Sequence, residues 1–308
     1  MSLPFHSFAA ADTVFTVATQ DGAVLPVYEL ASPAGAPALL FGHANGMAAG
    51  SYGPWLERLA ARCRVFAFDA RGHGGSTWPA GPIEEVFAVD RMADDLALVT
   101  RAVADRAGGV PLACVGHSLG GAAALRLAAC GRAPDWSAAV IFEPPIFPPP
   151  SSPIHAEAVA KQVRLVAGTA KRRETWPAPE ALAERLRGRG MFARFDAAML
   201  DAHCRATLRP APEGGFRLCC PPAIESFIFR SHWEADSWAR LPAVAIAIEL
   251  IGGDPAVPDN DWISRVLPEM AAQMPRARLT QVPGAGHLLI SERPEHCAAL
   301  VLERVPGA

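Results

Sequence analysis

The stretch Gly116-His117-Ser118-Leu119-Gly120 constrains the fold of this chain more than any other feature. It follows an apolar run at residues 112–115 and precedes an alanine-rich run at residues 120–130, which predicts a strand before the serine and a helix after it. A G-x-S-x-G pattern at such a turn exposes the serine hydroxyl at the edge of a sheet. Small residues on either side allow backbone segments to crowd beneath a serine of unusual φ and ψ. Ser118 is therefore a candidate nucleophile.

Short apolar runs alternate with helical patterns along most of the chain. Polarity alternates at residues 14–19 and 24–30 around the turn dipeptide Asp21-Gly22, which predicts an antiparallel hairpin. Later strands are predicted as short, mostly apolar runs, typical of a parallel sheet buried on both faces. They lie at residues 38–41, 65–68, 112–115, 138–142, 243–251 and 277–282. The pattern predicts an α/β fold with a mainly parallel, eight-stranded sheet that helices cover on both faces.

The alternation stops between residues 144 and 240. A proline-rich run at residues 144–150 leaves the sheet, and helical patterns broken by proline and glycine follow it. We interpret residues 146–240 as an inserted, mostly helical cap on a core formed by residues 1–145 and 241–308. Residues 161–209 hold eleven basic and five acidic side chains, which either attract an anionic substrate or form solvated helix faces.

Composition excludes several classes of protein. The net charge of −3 and the pI of about 6.3 give no basic surface for nucleic acid or an anionic membrane. No apolar run approaches the roughly 20 residues that span a bilayer, and the N-terminus lacks a signal-peptide pattern, so we expect a cytoplasmic protein without a membrane partner. Seven cysteines without C-x-x-C spacing indicate neither a disulfide framework nor a zinc site. No metal or other cofactor is expected, and the oligomeric state stays open.

Five motifs in order resemble those of the α/β-hydrolase superfamily, in its capped branch. The resemblance covers essentially the whole predicted core, with each motif at a strand end. The motifs are His43-Ala44-Asn45-Gly46, the turn Asp69-Ala70-Arg71-Gly72-His73-Gly74-Gly75-Ser76, the Ser118 elbow, Gly253-Asp254-Pro255-Ala256-Val257-Pro258, and Gly284-Ala285-Gly286-His287-Leu288. It implies the α/β-hydrolase fold and a small-molecule acyl substrate.

The resemblance also implies a catalytic triad in the chain order nucleophile, acid, histidine. That order corresponds to Ser118, Asp254 and His287. His287 would take the serine proton and later protonate the leaving group, while Asp254 would orient the imidazole. Glu143, at the end of the preceding strand, is the rival acid, since some family members draw theirs from that position, but the preferred interpretation of Glu143 is a structural or substrate-facing role.

In this family two backbone amides stabilise the oxyanion that forms on the attacked carbonyl. They correspond to Leu119, after the nucleophile, and Asn45, in the loop after the third strand. The common family loop reads His-Gly, whereas this chain has Ala44 at the second position. His43, His73 and Arg71 are interpreted as structural.

The nucleophile limits the chemistry within the superfamily. Dehalogenases and epoxide hydrolases use an aspartate at the elbow, and epoxide hydrolases add lid tyrosines, whereas Tyr28 and Tyr52 both lie outside the predicted cap. The leading hypothesis is a serine hydrolase of carboxylic esters that forms an acyl-enzyme. Alternatives are thioester, lactone or C–C bond hydrolysis, cofactor-free haloperoxidase activity, and a non-catalytic binding protein.

Overall fold

The computed structural model of the protein describes residues 5–257 and 262–308. Eight of its strands form one sheet and three form a smaller one. The strands are β1 (Thr13–Ala18), β2 (Val24–Glu29), β3 (Ala38–Gly42), β4 (Arg64–Phe68), β5 (Leu112–His117), β6 (Ala138–Phe142), β7 (Thr175–Trp176), β8 (Leu208–Pro210), β9 (Phe216–Leu218), β10 (Ile248–Gly252) and β11 (Ala277–Gln281).

The main sheet has the order β1-β2-β4-β3-β5-β6-β10-β11. β1 and β2 pair antiparallel, as do β2 and β4, and every later pair is parallel. The prediction of a hairpin followed by a mainly parallel, eight-stranded sheet is confirmed. Parallel strands end at the same edge of the sheet, so the loops after β3, β5, β6, β10 and β11 meet there.

Helices cover both faces of this sheet. The helices are α1 (Gly53–Ala60), α2 (Ile83–Val86), α3 (Val89–Ala107), α4 (Leu119–Ala129), α5 (His155–Thr169), α6 (Pro179–Leu186), α7 (Ala197–Ala206), α8 (Pro222–Glu234), α9 (Ser237–Arg240), α10 (Trp262–Gln273), α11 (Leu289–Glu292) and α12 (Pro294–Leu302). Side chains of α3, α4 and α10 pack on one face with Leu40, while those of α1 and α12 pack on the other with Leu39 and Phe41. Successive residues of β3 thus enter opposite cores, as a doubly covered sheet requires.

One predicted strand is shorter than its apolar run. The run at residues 243–251 becomes a strand only from Ile248: Ala243 ends a short 3-10 helix, and residues 244–247 are irregular. Val244 is nevertheless fully buried in the core. Val244 is hydrophobic because it packs in a buried loop, not because it pairs in the sheet. The apolar pattern of a sequence does not distinguish these two situations.

The chain between β6 and β10 contains α5 to α9 and the small antiparallel sheet of order β7-β9-β8. The predominantly helical content agrees with the sequence pattern, whereas the small sheet was not expected. Its strands are two or three residues long, too short to show a period in the sequence. The cap boundaries at residues 146 and 240 stay a prediction. Among the helices in the described ranges, none has the length and apolar character needed to cross a bilayer.

Candidate active site

Ser118 lies at the turn from β5 into α4, as the motif predicts. Its φ of 50° and ψ of −109° are an unusual conformation for a residue with a side chain. The flanking glycines explain how the turn is accommodated. A Cβ on Gly120 would lie 2.3 Å from the carbonyl oxygen of Gly42, and one on Gly116 would lie 2.6 Å from the amide nitrogen of Gly121. Only glycine fits these positions without moving the backbone.

His287 follows β11, and its carboxylate partner among the described residues is Glu143. The Nδ1 atom of His287 lies 3.2 Å from Oε2 of Glu143. Glu143 is fully buried directly after β6, with a φ of 45° that a non-glycine residue rarely adopts. Its Oε1 accepts hydrogen bonds from the Gly253 amide at 2.6 Å and the Ser264 hydroxyl at 2.7 Å. A buried carboxylate with these donors holds one oxygen fixed against the imidazole.

The structure places Glu143, and not the predicted Asp254, beside the imidazole of His287. The carboxylate of Asp254 accepts from the amides of Ala256 at 2.8 Å and Gly284 at 2.9 Å. These backbone hydrogen bonds lower the pKa of Asp254. Asp254 therefore secures the turn after β10 and ties it to the loop that leads to His287, while the rival residue, Glu143, occupies the position beside the imidazole. Two further acidic positions near Asp254, residues 259 and 261, lie outside the described residues.

A buried hydrogen-bond chain connects the elbow to the loop of His287. Nε2 of His117 lies 2.9 Å from the carbonyl oxygen of His287, and Nδ1 lies 2.6 Å from the hydroxyl of Tyr52. A carbonyl only accepts, so Nε2 carries the proton and Nδ1 accepts from Tyr52. Burial lowers the pKa of His117 to about 3, which keeps the ring neutral. The sequence does not predict this series of hydrogen bonds, because 65 residues separate Tyr52 from His117.

The amides of Asn45 and Leu119, predicted as oxyanion donors, belong to residues that line the same small cavity as Ser118 and His287. Within the described ranges, neither amide donates a hydrogen bond to another protein group. Leu119 begins α4, so its N–H is one of the four that a helix leaves without an internal partner. The loop after β3 is fixed by the Ala44 amide, which donates to the Tyr52 hydroxyl at 3.3 Å. Both residues thus line the cavity of Ser118, and their role as oxyanion donors stays a prediction.

The neighbouring polar residues have structural partners, in agreement with their interpretation from the sequence. Nε2 of His43 accepts from the Ala70 amide, and Nε2 of His73 accepts from the Gly46 amide, both at 3.0 Å. Burial lowers the pKa of His43 to about 4 and that of His73 to about 3. Arg71 pairs with two aspartates at 2.6 and 2.8 Å. These contacts hold the loops after β3 and β4 in place.

The cavity at Ser118 has a volume of about 50 Å³, and a larger one of about 300 Å³ adjoins it. Cap residues form walls of both, which places the segment between β6 and β10 over the serine. His232, on α8, lines the smaller cavity and was not identified from the sequence. Its Nε2 is buried without a hydrogen-bond partner in the described part of the chain, and burial lowers its pKa to about 4.

The aromatic residues of the cap divide into two groups. Phe192 and Phe229 line the cavities. The others pack inside the cap or against the core; they are Trp176, Phe195, Phe216, Phe227 and Trp233. The basic residues of the cap divide similarly. Arg164 and Arg172 reach the larger cavity, whereas Arg194 pairs with the buried Glu292 at 2.8 Å. Most of both sets are structural or solvated.

The comparisons with known proteins agree with this geometry. A protein named magnesium-chelatase 30 kDa subunit, from Rhodobacter capsulatus, is 28% identical over 286 residues, which cover 89% of each chain. The crystal structure of E-2-(acetamidomethylene)succinate hydrolase superposes with a TM-score of 0.75 at 23% identity, over 95% of this chain and 99% of that one. A thioesterase domain from the curacin biosynthetic pathway gives a TM-score of 0.72 at 19% identity, over 94% and 99%. At these identities the structural likeness is one of fold. The sequence model described as the alpha/beta hydrolase family matches residues 39–300, and the chain therefore belongs to that family.

Proposed function

We propose that this protein is a serine hydrolase that cleaves a carboxylic ester or a related acyl bond through an acyl-enzyme, with Ser118 as nucleophile, His287 as base and Glu143 as the acid that orients the base. The observation that carries the proposal is the convergence of four groups on one cavity. These are the hydroxyl on a strained elbow, an imidazole held by a buried carboxylate, and two amides that donate to no protein group within residues 5–257 and 262–308.

The contact between His287 and Glu143 decides which imidazole nitrogen acts. A carboxylate accepts, so Nδ1 of His287 carries the proton that points at Glu143 and Nε2 is left unprotonated. Nε2 takes the Ser118 proton as the hydroxyl oxygen attacks the acyl carbon, and it returns that proton to the leaving group. Water then attacks the acyl-serine by the same route, releasing the acid and restoring Ser118.

The two amides supply the electrostatic part of the reaction. As the tetrahedral intermediate forms, negative charge develops on the former carbonyl oxygen, and the amides of Asn45 and Leu119 would donate to it. One such donor contributes about 3 to 4 kcal/mol of transition-state stabilisation. The positive end of α4 points at the same place and adds to this effect.

Labelling with a fluorophosphonate tests the nucleophile before any substrate is known. We expect the reagent to modify Ser118, and we expect Ser118→Ala and His287→Ala each to lose most turnover of 4-nitrophenyl esters. His296→Ala is the matched control for the second variant, because His296 is an exposed histidine outside the site. Wild-type turnover by Ser118→Ala, or wild-type protein that the reagent leaves unmodified, would show that the proposal is wrong. A panel of esters, thioesters, lactones and vinylogous diketones then selects the bond.

A further inference from the structure

The larger cavity is continuous with the site of Ser118 and differs from it in charge. The two cavities share five lining residues, which are Asn45, Leu165, Met191, Phe229 and Leu288. Four of these are apolar and would surround a carbon chain. Beyond them the larger cavity is lined by Arg164, Arg172 and Glu225, two positive groups and one negative. Its charged residues therefore carry a net positive charge.

Arg172 uses only one of its guanidinium nitrogens in its ion pair with Glu225. Its Nη1 lies 2.5 Å from both carboxylate oxygens of Glu225. In the ranges that the structure describes, its Nε and Nη2 donate no hydrogen bond to the protein, and Arg164 forms no ion pair. The Glu225 side chain is 6% exposed, so the carboxylate end of this ion pair is shielded from water. Guanidinium groups with such unused donors bind carboxylates in bidentate fashion.

The Arg172–Glu225 pair lies against the loop of the proposed oxyanion donor. A Cβ on Gly46 would lie 2.4 Å from Oε1 of Glu225 and 3.5 Å from Nη1 of Arg172. The side-chain amide of Asn45 also donates to the Glu225 carbonyl oxygen at 3.0 Å. An anion held by Arg172 would consequently be near the reacting carbonyl and could belong to the same molecule.

His203 adds a neutral polar group to this wall. Its side chain lines the cavity, is 2% exposed, and stacks at 5.3 Å from the ring of Phe192. Neither ring nitrogen has a hydrogen-bond partner in the described part of the chain. Both nitrogens are closed off from the cavity, and burial lowers the pKa of His203 to about 3, so the ring adds no charge to this wall.

We propose that the larger cavity binds a carboxylate of the substrate, so that the enzyme acts on acyl compounds whose acyl part carries a second, anionic acid group. This inference rests on the proposed function, since the reacting carbonyl must lie at Ser118. The shared apolar wall holds the intervening carbons, and the guanidinium groups hold the distal acid.

A pair of esters whose distal acid group is either free or methylated tests the inference. The esters are 4-nitrophenyl hydrogen adipate and its neutral methyl ester, and the measured quantity is the ratio of their kcat/KM values. We expect wild-type protein to favour the anionic ester by about tenfold, and Arg164→Glu to lower the ratio by about tenfold or more. Raising the salt concentration should lower the ratio in the wild type, since salt screens the attraction between the exposed Arg164 and the substrate carboxylate.

Arg173→Glu is the matched control. Arg173 is also an exposed arginine of the cap but does not line the cavity, so the same change in total charge should leave the ratio within about twofold of wild type. The double variant Arg172→Gln with Glu225→Gln keeps the net charge and removes the guanidinium, and it should lower the ratio as well. Thermal unfolding checks that each variant folds.

The outcomes separate the two proposals. If Ser118 resists fluorophosphonate, the proposed function fails. If Ser118 is labelled but the wild type prefers the neutral ester, or hydrolyses neither, the carboxylate site is wrong while the nucleophile stands. The same conclusion follows if Arg164→Glu and Arg173→Glu change the ratio equally, because the preference then reflects total charge alone.

Discussion

Replacing Glu143 with glutamine tests the proposed triad at its least expected member. Oε1 of Glu143 accepts from the Gly253 amide and the Ser264 hydroxyl at 2.6 and 2.7 Å, and Oε2 lies 3.2 Å from Nδ1 of His287. In the variant, the amide oxygen must keep the position that faces two donors. The NH₂ group of glutamine is then left facing His287.

Two donors cannot share that contact, so the imidazole of His287 must change tautomer. Nδ1 becomes the acceptor and the proton moves to Nε2, which can no longer take the proton of Ser118. A wrong tautomer of this kind lowers kcat on the order of 10⁴-fold. At 1.36 kcal/mol for each factor of ten, this corresponds to about 5 kcal/mol of lost transition-state stabilisation. Because every hydrogen bond of the buried carboxyl keeps a partner, the fold should survive.

Asp254→Asn is the control that makes the result decisive. Its carboxylate lies at the surface and accepts from two amides, so the asparagine oxygen can retain one of them. We expect less than about a threefold loss of kcat. The assay is steady-state hydrolysis of a 4-nitrophenyl ester, with fluorophosphonate titration to count competent sites and thermal unfolding to confirm the fold. A larger loss of kcat in Asp254→Asn than in Glu143→Gln would refute the assignment and restore Asp254 as the acid.

Three further predictions follow from contacts around the site. Tyr52→Phe should lower kcat about tenfold with KM unchanged, since it removes the buried hydrogen bonds of this hydroxyl with His117 and with the Ala44 amide, whereas Tyr28→Phe, which removes an equally buried hydroxyl elsewhere, should lower only stability. Equal kcat in both would contradict the positioning chain. Gly120→Ala should cost about 3 kcal/mol or more in urea unfolding, because its Cβ would meet the Gly42 carbonyl at 2.3 Å, and an unchanged stability would contradict this. Burial lowers the pKa of His203 to about 3, against about 6.5 in the unfolded state, so only the unfolded state gains the proton between these values. The free energy of unfolding therefore decreases as the pH is lowered through this range. Between pH 7 and pH 5 the loss of unfolding free energy amounts to about 2 kcal/mol, and His203→Phe should remove this loss. The same pH dependence in variant and wild type would count against this assignment to His203.

The main sheet and the elbow could be predicted because both leave local signals in the sequence. Strands buried on both faces appear as short apolar runs. The two glycines around Ser118 occupy positions where a Cβ would clash with neighbouring backbone atoms. The family resemblance also directs attention to Asn45 and Leu119, and both residues line the cavity of Ser118. For these features, residue type and chain order determine the geometry.

The acid could not be selected in the same way. Glu143 and Asp254 each follow a strand of the same sheet, and both are close enough in chain order to satisfy the family pattern. Two structural features distinguish them. Glu143 has a left-handed backbone with a φ of 45°, and the carboxylate of Asp254 accepts hydrogen bonds from two backbone amides. Neither is visible as a residue pattern. The Tyr52–His117 contact and the small cap sheet likewise depend on tertiary packing of distant segments.

The two acid candidates belong to one hydrogen-bond network around the ends of β6 and β10. β6 lies between β5 and β10 in the sheet, so a carboxylate at its end is adjacent to both the nucleophile strand and the turn after β10. That turn contributes the Gly253 amide, which fixes Oε1 of Glu143, and the next residue, Asp254, ties the turn to Gly284. Asp254 thus supports the acid through the backbone. The interaction of Glu143 with the base is stronger for being buried, since water does not screen it. The Gly-Asp motif after β10 therefore marks the support of the proposed acid in this chain, and the acid itself comes from the neighbouring strand.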